Sequence, residues 1–258
     1  MALVIPAYNE AASLRQVAEA ALAQHAWVII VDDGSTDATS QCVAGLPLTL
    51  LRLAINQGKA AALLHGMKHA LQHGATAVMT MDADGQHRAE DIPRLLEASQ
   101  AHPDRLIIGS RLHDRRQFPT RRYLANRFAN FWVAWAAGYP LSDSQSGFRV
   151  YPGNLLRAYL AASRTTHGFV FESEIIIEAG RRGCAPLAVA VPAIYVASAR
   201  KSHFRPVLDI ARITRMVALK LLQRGLCPLC LWRSLRAPQT HPTSHNCDLG
   251  NPRSADLL

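Results

Sequence analysis

The chain has 258 residues, enough for one large domain with a short appendage, and its 49% hydrophobic residues fit a globular protein. It carries 28 Lys and Arg against 19 Asp and Glu, but residues 1–100 have a net charge of −4 and residues 101–258 one of +13. The asymmetry excludes a uniformly basic coat protein and predicts an anionic partner for the second half, such as phosphate, nucleic acid or anionic lipid.

Three further features of the composition narrow the class of protein. No window reaches the roughly 18 uncharged apolar residues that a membrane-spanning helix requires. The first residues run directly into a predicted strand, so we expect no secretory signal. The five cysteines are scattered and odd in number, which favours a reducing cytoplasm over a disulfide framework.

The first 110 residues alternate apolar runs with amphipathic stretches, which predicts a β-α-β-α-β-α-β-α-β order. The predicted strands are 3–5, 27–31, 48–53, 77–81 and 106–109, and the predicted helices are 10–24, 36–44, 59–73 and 89–100. Continuous apolar strands are typical of a parallel sheet that is covered on both faces. Ligands of such sheets bind beyond the carboxyl ends of the strands.

The second half has a different character. The predicted elements are an aromatic-rich helix at 123–137, a turn entering a strand at 146–151, a helix at 172–182, a strand at 187–191 and an amphipathic helix at about 207–224. The last of these either lies on a membrane with its apolar face down, or packs on its own domain; the aromatic-rich helix leaves the same alternative open. Residues 236–258 are rich in Pro, Ser, His and Asn, and we expect the tail 226–258 to be disordered.

Charged motifs follow the predicted strands. Asp82-Ala83-Asp84 places two carboxylates where they can turn toward one Mg²⁺ or Mn²⁺ ion. Asp32-Asp33-Gly34-Ser35 ends an earlier strand, where carboxylates suit ribose or base groups. Asn56-Gln57-Gly58-Lys59 opens a helix, and a helix N-terminus with a Lys suits phosphate. A bare Asp-x-Asp is more often a solvated turn, so the argument rests on the motifs occurring together.

Together these motifs resemble the family 2 glycosyltransferases of GT-A fold, and among them the polyprenol-phosphate sugar transferases of the dolichol-phosphate mannosyltransferase type. The resemblance covers about residues 1–225, as a nucleotide-sugar half (1–110) and an acceptor half (111–225). The matching pieces, in family order, are 4–10 (VIPAYNE), 31–35 (VDDGS), 56–59 (NQGK), 82–87 (DADGQH), 109–111 (GSR) and 146–149 (SGFR). The resemblance implies an α/β, Rossmann-like fold with a mostly parallel sheet flanked by helices and a C-terminal amphipathic helix.

The resemblance also implies an inverting, metal-dependent transferase. It would move a sugar from a UDP- or GDP-sugar to a polyprenyl phosphate or another lipid-linked acceptor, with Mg²⁺ or Mn²⁺ as cofactor. Membrane attachment would be peripheral, on the cytoplasmic face of the inner membrane, and no nucleic-acid partner is expected.

The expected site residues fall into four groups. Donor binding is expected of Pro6, Tyr8, Glu10, Asp33, Lys59, Asp82, Asp84 and Lys201. Metal binding is expected of Asp82, Asp84 and Gln86. Contact with the acceptor phosphate is expected of Arg111, Arg122, Asn126 and Arg149. Catalytic roles are expected of Asp84, Asp143 and Arg111.

Three alternatives remain at this point. A phosphate acceptor is already ionised, whereas a hydroxyl acceptor on a glycan, glycolipid or secondary metabolite needs a general base, for which Asp143, Glu172 and Glu174 are candidates. A non-catalytic protein that binds anionic surfaces is a second alternative, against which the full motif set argues. A zinc site at Cys227 and Cys230, with His241, His245 and Cys247, is a weaker third.

Overall fold

The predicted strands pair into one sheet in the computed structural model of the protein, which describes residues 1–112, 120–162, 170–192 and 206–242, without the side chains of 121, 122 and 206–210. The strands are β1 (Ala2–Ala7), β2 (Val28–Asp32), β3 (Thr49–Arg52), β4 (Ala77–Thr80), β5 (Leu106–Ser110), β6 (Arg149–Pro152) and β7 (Pro186–Ala190). Every residue of β1, β2 and β5 is buried, because helices cover both faces of the sheet.

The sheet has the order β3-β2-β1-β4-β6-β5-β7. All neighbours pair in parallel except β6, which runs antiparallel to both β4 and β5. The prediction of a mostly parallel sheet is therefore confirmed. The reversal of β6 brings its N-terminal end, and the loop before it, to the edge where the other strands end.

Helices form two layers around the sheet. They are α1 (Leu14–Gln24), α2 (Thr39–Cys42), α3 (Lys59–Gln72), α4 (Ile92–Ala101), α5 (Thr120–Ala137), α6 (Gly153–Ala161), α7 (Val170–Arg181), α8 (Pro206–Leu222) and α9 (Pro228–Ser234). One apolar core lies between the sheet and α1 with α4, and the other between the sheet and α3, α5, α6, α7 and α8.

The amphipathic helix predicted at 207–224 is observed as α8, and part of its apolar face is covered. Val217 and Leu221 are buried in the core beside α7 and α5. These two residues therefore pack on their own domain rather than on a membrane. Leu219 and Leu222 on the same helix are exposed. Within the described ranges, no helix has both the length and the apolarity needed to cross a bilayer.

The segment predicted to be disordered from residue 226 is partly ordered. It forms α9, which packs against α5, and Thr240 then pairs with Ala188 of β7. Leu226 and Cys227 have positive φ angles of 58° and 27°, and they turn the chain from α8 back into α9. The second part of the tail, 243–258, lies outside the described residues.

The two cysteines at this turn are paired with each other. Cys227 and Cys230 form a disulfide, whereas Cys42 and Cys184 are free thiols. The expectation of reduced, scattered cysteines is therefore wrong at this pair. Its sulfur atoms are bonded to each other, which removes two of the ligands considered for zinc; His245 and Cys247 lie outside the described residues.

Candidate active site

The charged motifs meet at one edge of the sheet because β1, β2, β4 and β5 end there together. The loop after β1 and the loop after β2 are joined by hydrogen bonds. The Asn9 amide donates to Ser35 Oγ at 2.9 Å, and the Thr36 amide donates to Asn9 Oδ1 at 2.8 Å. Gly34 has a φ of 70°, and a Cβ there would lie 2.5 Å from the backbone of Ile55, so only glycine fits this close approach.

Asp33 connects the second loop to the start of α3. Its two carboxylate oxygens accept hydrogen bonds from the amides of Gln57 and Gly58, each at 2.8 Å. Burial raises the pKa of Asp33, against the lowering effect of these two amides. Asp33, which was predicted to bind the donor, thus also fixes the loop that leads into α3, whose first residue is Lys59.

The other donor residues of the first loop differ in exposure. Pro6 is buried inside β1, whereas Tyr8 and Glu10 are half-buried just beyond the strand. Glu10 lies close enough to Asp84 for its charge to raise the pKa of that carboxyl. Glu10 is therefore placed near the Asp-x-Asp loop, Tyr8 follows β1 directly, and Pro6 lies within the buried strand.

A three-member ion cluster occupies the centre of the site. Lys59 Nζ lies 2.7 Å from Asp82 Oδ1 and 2.9 Å from Glu172 Oε1. Burial alone would raise the pKa of Asp82, but the positive charge of Lys59 outweighs it and lowers the pKa to about 2. The two carboxylates in turn raise the pKa of Lys59 despite its burial. Lys59, predicted to contact donor phosphate, is thus an ion-pair partner of a predicted metal ligand.

Asp84 and Gln86 form the other part of the Asp-x-Asp loop. The Gln86 amide N–H donates to Asp84 Oδ1 at 3.0 Å, and Gln86 Nε2 donates to Asp84 Oδ2 at 2.8 Å. Burial and the nearby charge of Asp82 raise the pKa of Asp84. When burial and a nearby like charge disfavour the ionised form of a carboxyl group, a bound cation stabilises that ionised form strongly.

These side chains fit a hard divalent cation. Asp82, Asp84 and Gln86 supply carboxylate and amide oxygens from one short loop, the donor type that Mg²⁺ and Mn²⁺ prefer. Gly147 leaves room beside them, since a Cβ there would lie 2.5 Å from Asp82 Oδ2. In the described ranges no group of three His, Cys, Asp or Glu side chains could hold a metal ion by itself. Mg²⁺ is commonly bound by one or two carboxylates together with substrate phosphates.

His87 lies behind this loop. Its ring is buried at 5.2 Å from the ring of Phe148, and its Nε2 is 3.9 Å from Asp82 Oδ2. Burial lowers the pKa of His87 to about 4 and outweighs the opposite effect of Asp82. The ring is therefore neutral at pH 7 and supports the carboxylate loop from inside.

Arg111 extends from the end of β5 and is held by a buried carboxylate. Its Nε is 3.0 Å from Asp143 Oδ2, and its own backbone amide donates to the same oxygen at 3.2 Å. Asp143 also accepts from the Gln145 amide at 3.0 Å. After Lys59, the nearby charge of Arg111 also contributes to lowering the pKa of Asp82.

Arg149 has a different place from the one predicted. Its side chain is fully buried, and it donates to the backbone carbonyls of Ser144, Ser146 and Glu172 at 2.7–2.8 Å. The prediction that Arg149 contacts the acceptor phosphate is therefore corrected. This guanidinium fixes the loop that carries Asp143 and Gly147, and it fixes the start of α7.

The remaining predicted acceptor residues lie at the start of α5 or outside the described chain. Asn126 is half-buried on α5. Arg122 lies in the same helix, but its side chain is outside the described part. Lys201 also lies outside the described residues.

Three contributors were not predicted from the sequence in their present roles. Glu172 was predicted as a candidate base, and it is an ion-pair partner of Lys59. His87 and Gly147 stood inside recognised motifs without a role. For His87 and Gly147 the sequence signal was their position in those motifs. The contacts of Glu172 with Lys59 and of Gly147 with Asp82 join distant parts of the chain, so local pattern does not indicate them.

The chain is similar to known proteins over most of its length. The family described as Glycosyl transferase family 2 matches residues 2–171. A polyprenol monophosphomannose synthase of Mycolicibacterium smegmatis is 30% identical over 202 residues, which are 73% of this chain and 75% of that protein. A UDP-N-acetylglucosamine–dolichyl-phosphate N-acetylglucosaminyltransferase of Methanococcus voltae is 30% identical over 177 residues, which are 60% of this chain and 70% of that protein.

Solved structures share the fold. Glucosyl-3-phosphoglycerate synthase from Mycobacterium tuberculosis in complex with uridine diphosphate has a TM-score of 0.63 at 18% identity, covering 88% of this chain and 80% of that one. The same enzyme with Mn²⁺, UDP-glucose and phosphoglyceric acid has a TM-score of 0.62 at 19% identity, with the same coverage. With its GT-A fold and its family match, the chain belongs to glycosyl transferase family 2 and is a glycosyltransferase.

Proposed function

We propose that this glycosyltransferase moves a sugar from a nucleoside diphosphate to the phosphate of a polyprenyl phosphate, with inversion at the anomeric carbon. The acceptor oxygen would form the new bond to this carbon as the bond to the diphosphate breaks. The named activities of the relatives from Mycolicibacterium and Methanococcus support a lipid-phosphate acceptor. Both UDP- and GDP-sugars remain candidate donors.

The donor side of the proposal rests on the carboxylate loop. Asp82, Asp84 and Gln86 would hold Mg²⁺ or Mn²⁺, and Tyr8, Glu10 and Asp33 would line the nucleotide pocket. When bound, the metal would neutralise negative charge that develops on the leaving diphosphate. Lys59 and Glu172 would keep Asp82 in position, since Lys59 bridges the two carboxylates.

The observation that carries the acceptor side is the Arg111–Asp143 pair. Asp143 is fully buried, and it holds Arg111 through both the side chain and the backbone amide. A guanidinium fixed in this way is suited to orient a phosphate at the edge of the metal loop. Arg122, Asn126 and Lys201 are further candidates for contact with the phosphates of the two substrates.

The carboxylates that a hydroxyl acceptor would need as bases are all engaged with cations. Asp143 pairs with Arg111, Glu172 with Lys59, and Glu174 with Lys220 at 3.2 Å. Each of these carboxylates is therefore already held in place by a basic side chain of the protein. This arrangement supports the phosphate acceptor over the hydroxyl acceptor.

The test compares two acceptors that differ only in the reacting group. Undecaprenyl phosphate and undecaprenol, both in detergent, are incubated with the protein, Mn²⁺ or Mg²⁺ and a panel of UDP- and GDP-sugars. We expect transfer to the phosphate alone, and we expect Asp84→Ala or chelation of the metal to abolish it. Transfer to the alcohol would establish the hydroxyl alternative, and transfer that survives both Asp84→Ala and chelation would exclude the metal-dependent mechanism.

The location predicted with this function is peripheral attachment to the cytoplasmic face of the inner membrane. Fractionation of cells tests it. We expect the protein in the membrane fraction and its release by alkaline carbonate, which removes peripheral proteins.

A further inference from the structure

Exposed apolar side chains are concentrated on three helices. Ten of the twelve large hydrophobic side chains that are exposed in the described part lie on α5, on α8, on α9, in the turn between α8 and α9, or directly after α9. The other two, Leu50 and Ile55, lie near the opposite edge of the sheet. A contiguous cluster of exposed apolar side chains of this kind indicates an interaction site rather than chance exposure.

The first part of this surface is one stripe of α5. Leu124, Phe128, Phe131 and Trp132 follow the i, i+4, i+7, i+8 spacing of a single helix face. Phe128 is 67% exposed, and its ring contacts Trp132 at 6.1 Å. Trp132 stacks in turn on Trp135 at 5.6 Å.

The second part belongs to α9 and to the turn before it. Trp135 Nε1 donates to the carbonyl of Leu226 at 2.9 Å, so the aromatic stripe continues directly into the exposed turn. Leu229, Trp232 and Leu235 then expose 53–66% of their surface along one face of α9 and at its end. We call the exposed residues of α5, α9 and this turn the apolar surface.

The surroundings of the apolar surface are strongly basic. Residues 120–138 and 206–242 contain nine Lys and Arg and only one acidic residue, which is nearly the whole +9 net charge of the protein. Arg233 and Arg236 are exposed on or just after α9, and Arg236 lies over the Trp232 ring at 4.0 Å. Arg212 and Arg215 line an open cleft between α7 and α8 that also contains the exposed Leu219.

A surface that is both apolar and basic favours one of three partners: a second copy of the chain, nucleic acid or an anionic bilayer. A second copy of the chain would bring the same positive charge into an apolar contact, where like charges repel. Nucleic acid would pair with the Arg residues but would not cover projecting Leu and Trp side chains. An anionic bilayer accommodates both the apolar and the basic side chains, because Trp and Leu enter the interface while Arg binds lipid phosphates.

We propose that the apolar surface of α5 and α9, with its surrounding Arg residues, is the face by which this protein docks on an anionic lipid bilayer. The docking does not depend on the glycosyl transfer proposed above, but it would bring a membrane-embedded acceptor to the enzyme. The helix α5 connects the two, since Asn126 lies in its first half and the aromatic stripe extends to its end.

The experiment is vesicle flotation of the full chain, without donor or acceptor. Vesicles of phosphatidylcholine are compared with vesicles of equal parts phosphatidylcholine and phosphatidylglycerol. We expect binding to the anionic vesicles and at least about tenfold weaker partitioning of two variants, Phe128→Ser/Trp232→Ser and Arg233→Glu/Arg236→Glu. Leu50→Ser, an exposed leucine on the edge strand β3, is the matched control and should bind as the wild type does.

Each other outcome has a defined meaning. The proposal is wrong if the wild type does not float, or if both double variants float as well as the control. A dimer in light scattering that the Phe128→Ser/Trp232→Ser variant loses, without any flotation, would assign the surface to a second copy. Binding to duplex DNA with steep salt dependence, again without flotation, would assign it to nucleic acid.

A parallel measurement separates this proposal from the proposed function. Both double variants should transfer sugar normally to detergent-dispersed undecaprenyl phosphate, because none of the four residues lies in the catalytic site. Flotation with no transfer by the wild type would refute the acceptor and leave the docking intact. Transfer in detergent without flotation would refute the docking and leave the proposed acceptor intact.

Discussion

At the scale of single residues, the candidate site is a balance of buried charges. Lys59 neutralises two carboxylates that come from distant parts of the chain, Asp82 after β4 and Glu172 in α7. A divalent cation at the same place would compete with the ammonium group for the same oxygens. Lys59 therefore holds the place of a cation beside Asp82 and Glu172.

Replacing this ammonium tests the balance. We expect Lys59→Met to lower the free energy of unfolding by about 1–3 kcal/mol without metal, because Asp82 and Glu172 then repel each other in a partly buried site. Mn²⁺ should raise the melting temperature of this variant more than that of the wild type, since the cation replaces the lost charge. Thermal unfolding with and without Mn²⁺ measures both effects.

The control is Lys68→Met, an exposed lysine on the same helix. It should change neither the stability nor the response to Mn²⁺. Equal Mn²⁺ shifts in Lys59→Met and the wild type would contradict the competition between ammonium and cation.

Burial of the His87 ring should make the free energy of unfolding depend on pH. Its pKa is lowered from 6.5 to about 4 by burial, so between these values the unfolded chain binds a proton that the folded protein does not. The free energy of unfolding therefore falls as the pH is lowered through this interval, by about 3 kcal/mol in total. Relative to His87→Gln, the wild type should lose this amount between pH 7 and pH 4 in urea unfolding; parallel pH profiles would show that His87 is not the cause.

At the scale of elements, α5 depends on a close contact with α7. A Cβ at Gly180 in α7 would lie 2.3 Å from the carbonyl oxygen of Ala137 at the end of α5. The same helix α5 supports α9 on its other side, where a Cβ at Gly138 would contact Cys230 at 3.5 Å. The position of the apolar surface thus depends on how closely α5 and α7 approach.

Adding one methyl group at this contact tests it. We expect Gly180→Ala to lower the free energy of unfolding by about 1–3 kcal/mol, because the backbone carbonyl cannot move aside as a flexible side chain would. Ala23→Ser, which adds one atom at an exposed position of α1, should stay within about 0.5 kcal/mol of the wild type. Denaturant unfolding measures both, and a neutral Gly180→Ala would mean that the two helices can separate at little cost.

At the scale of the whole molecule, the two halves of the chain carry opposite net charges. The carboxylates of the first half gather at the edge of the sheet that would receive a metal and a diphosphate. Nine of the 22 Lys and Arg residues of the second half lie in residues 120–138 and 206–242, which contain the apolar surface. The proposed donor site and the proposed membrane-docking face are thus separate regions of one molecule, and α5 connects them.

Ligand binding should stabilise the whole fold only when a metal is present. With Mn²⁺ and the correct nucleoside diphosphate at about a hundred times its dissociation constant, we expect the melting temperature to rise by about 5–10 °C. Chelation, or Asp84→Ala, should remove most of this rise, because the carboxylates and the diphosphate then repel each other. An equal rise in the presence of a chelator would show that the nucleotide binds without the carboxylate loop. The same measurement with UDP and GDP identifies the base.

The sequence by itself determined the sheet-and-helix alternation of the first 110 residues and the family. Apolar runs form buried strands and 3.6-residue periodicity forms helices, so these elements depend on local pattern. It also placed Asp82, Asp84 and Arg111 at strand ends, where the fold collects them. These predictions succeeded because they concern residues close to each other in the chain.

Only the tertiary structure decided which long-range partners the charges find. It paired Lys59 with Glu172, buried Asp143 against Arg111, and made Arg149 a core residue instead of a phosphate ligand. It also reversed β6 and folded α9 onto α5. The physical reason is the same in each case: burial and ion pairing depend on neighbours far away in sequence, and local periodicity contains no information about them.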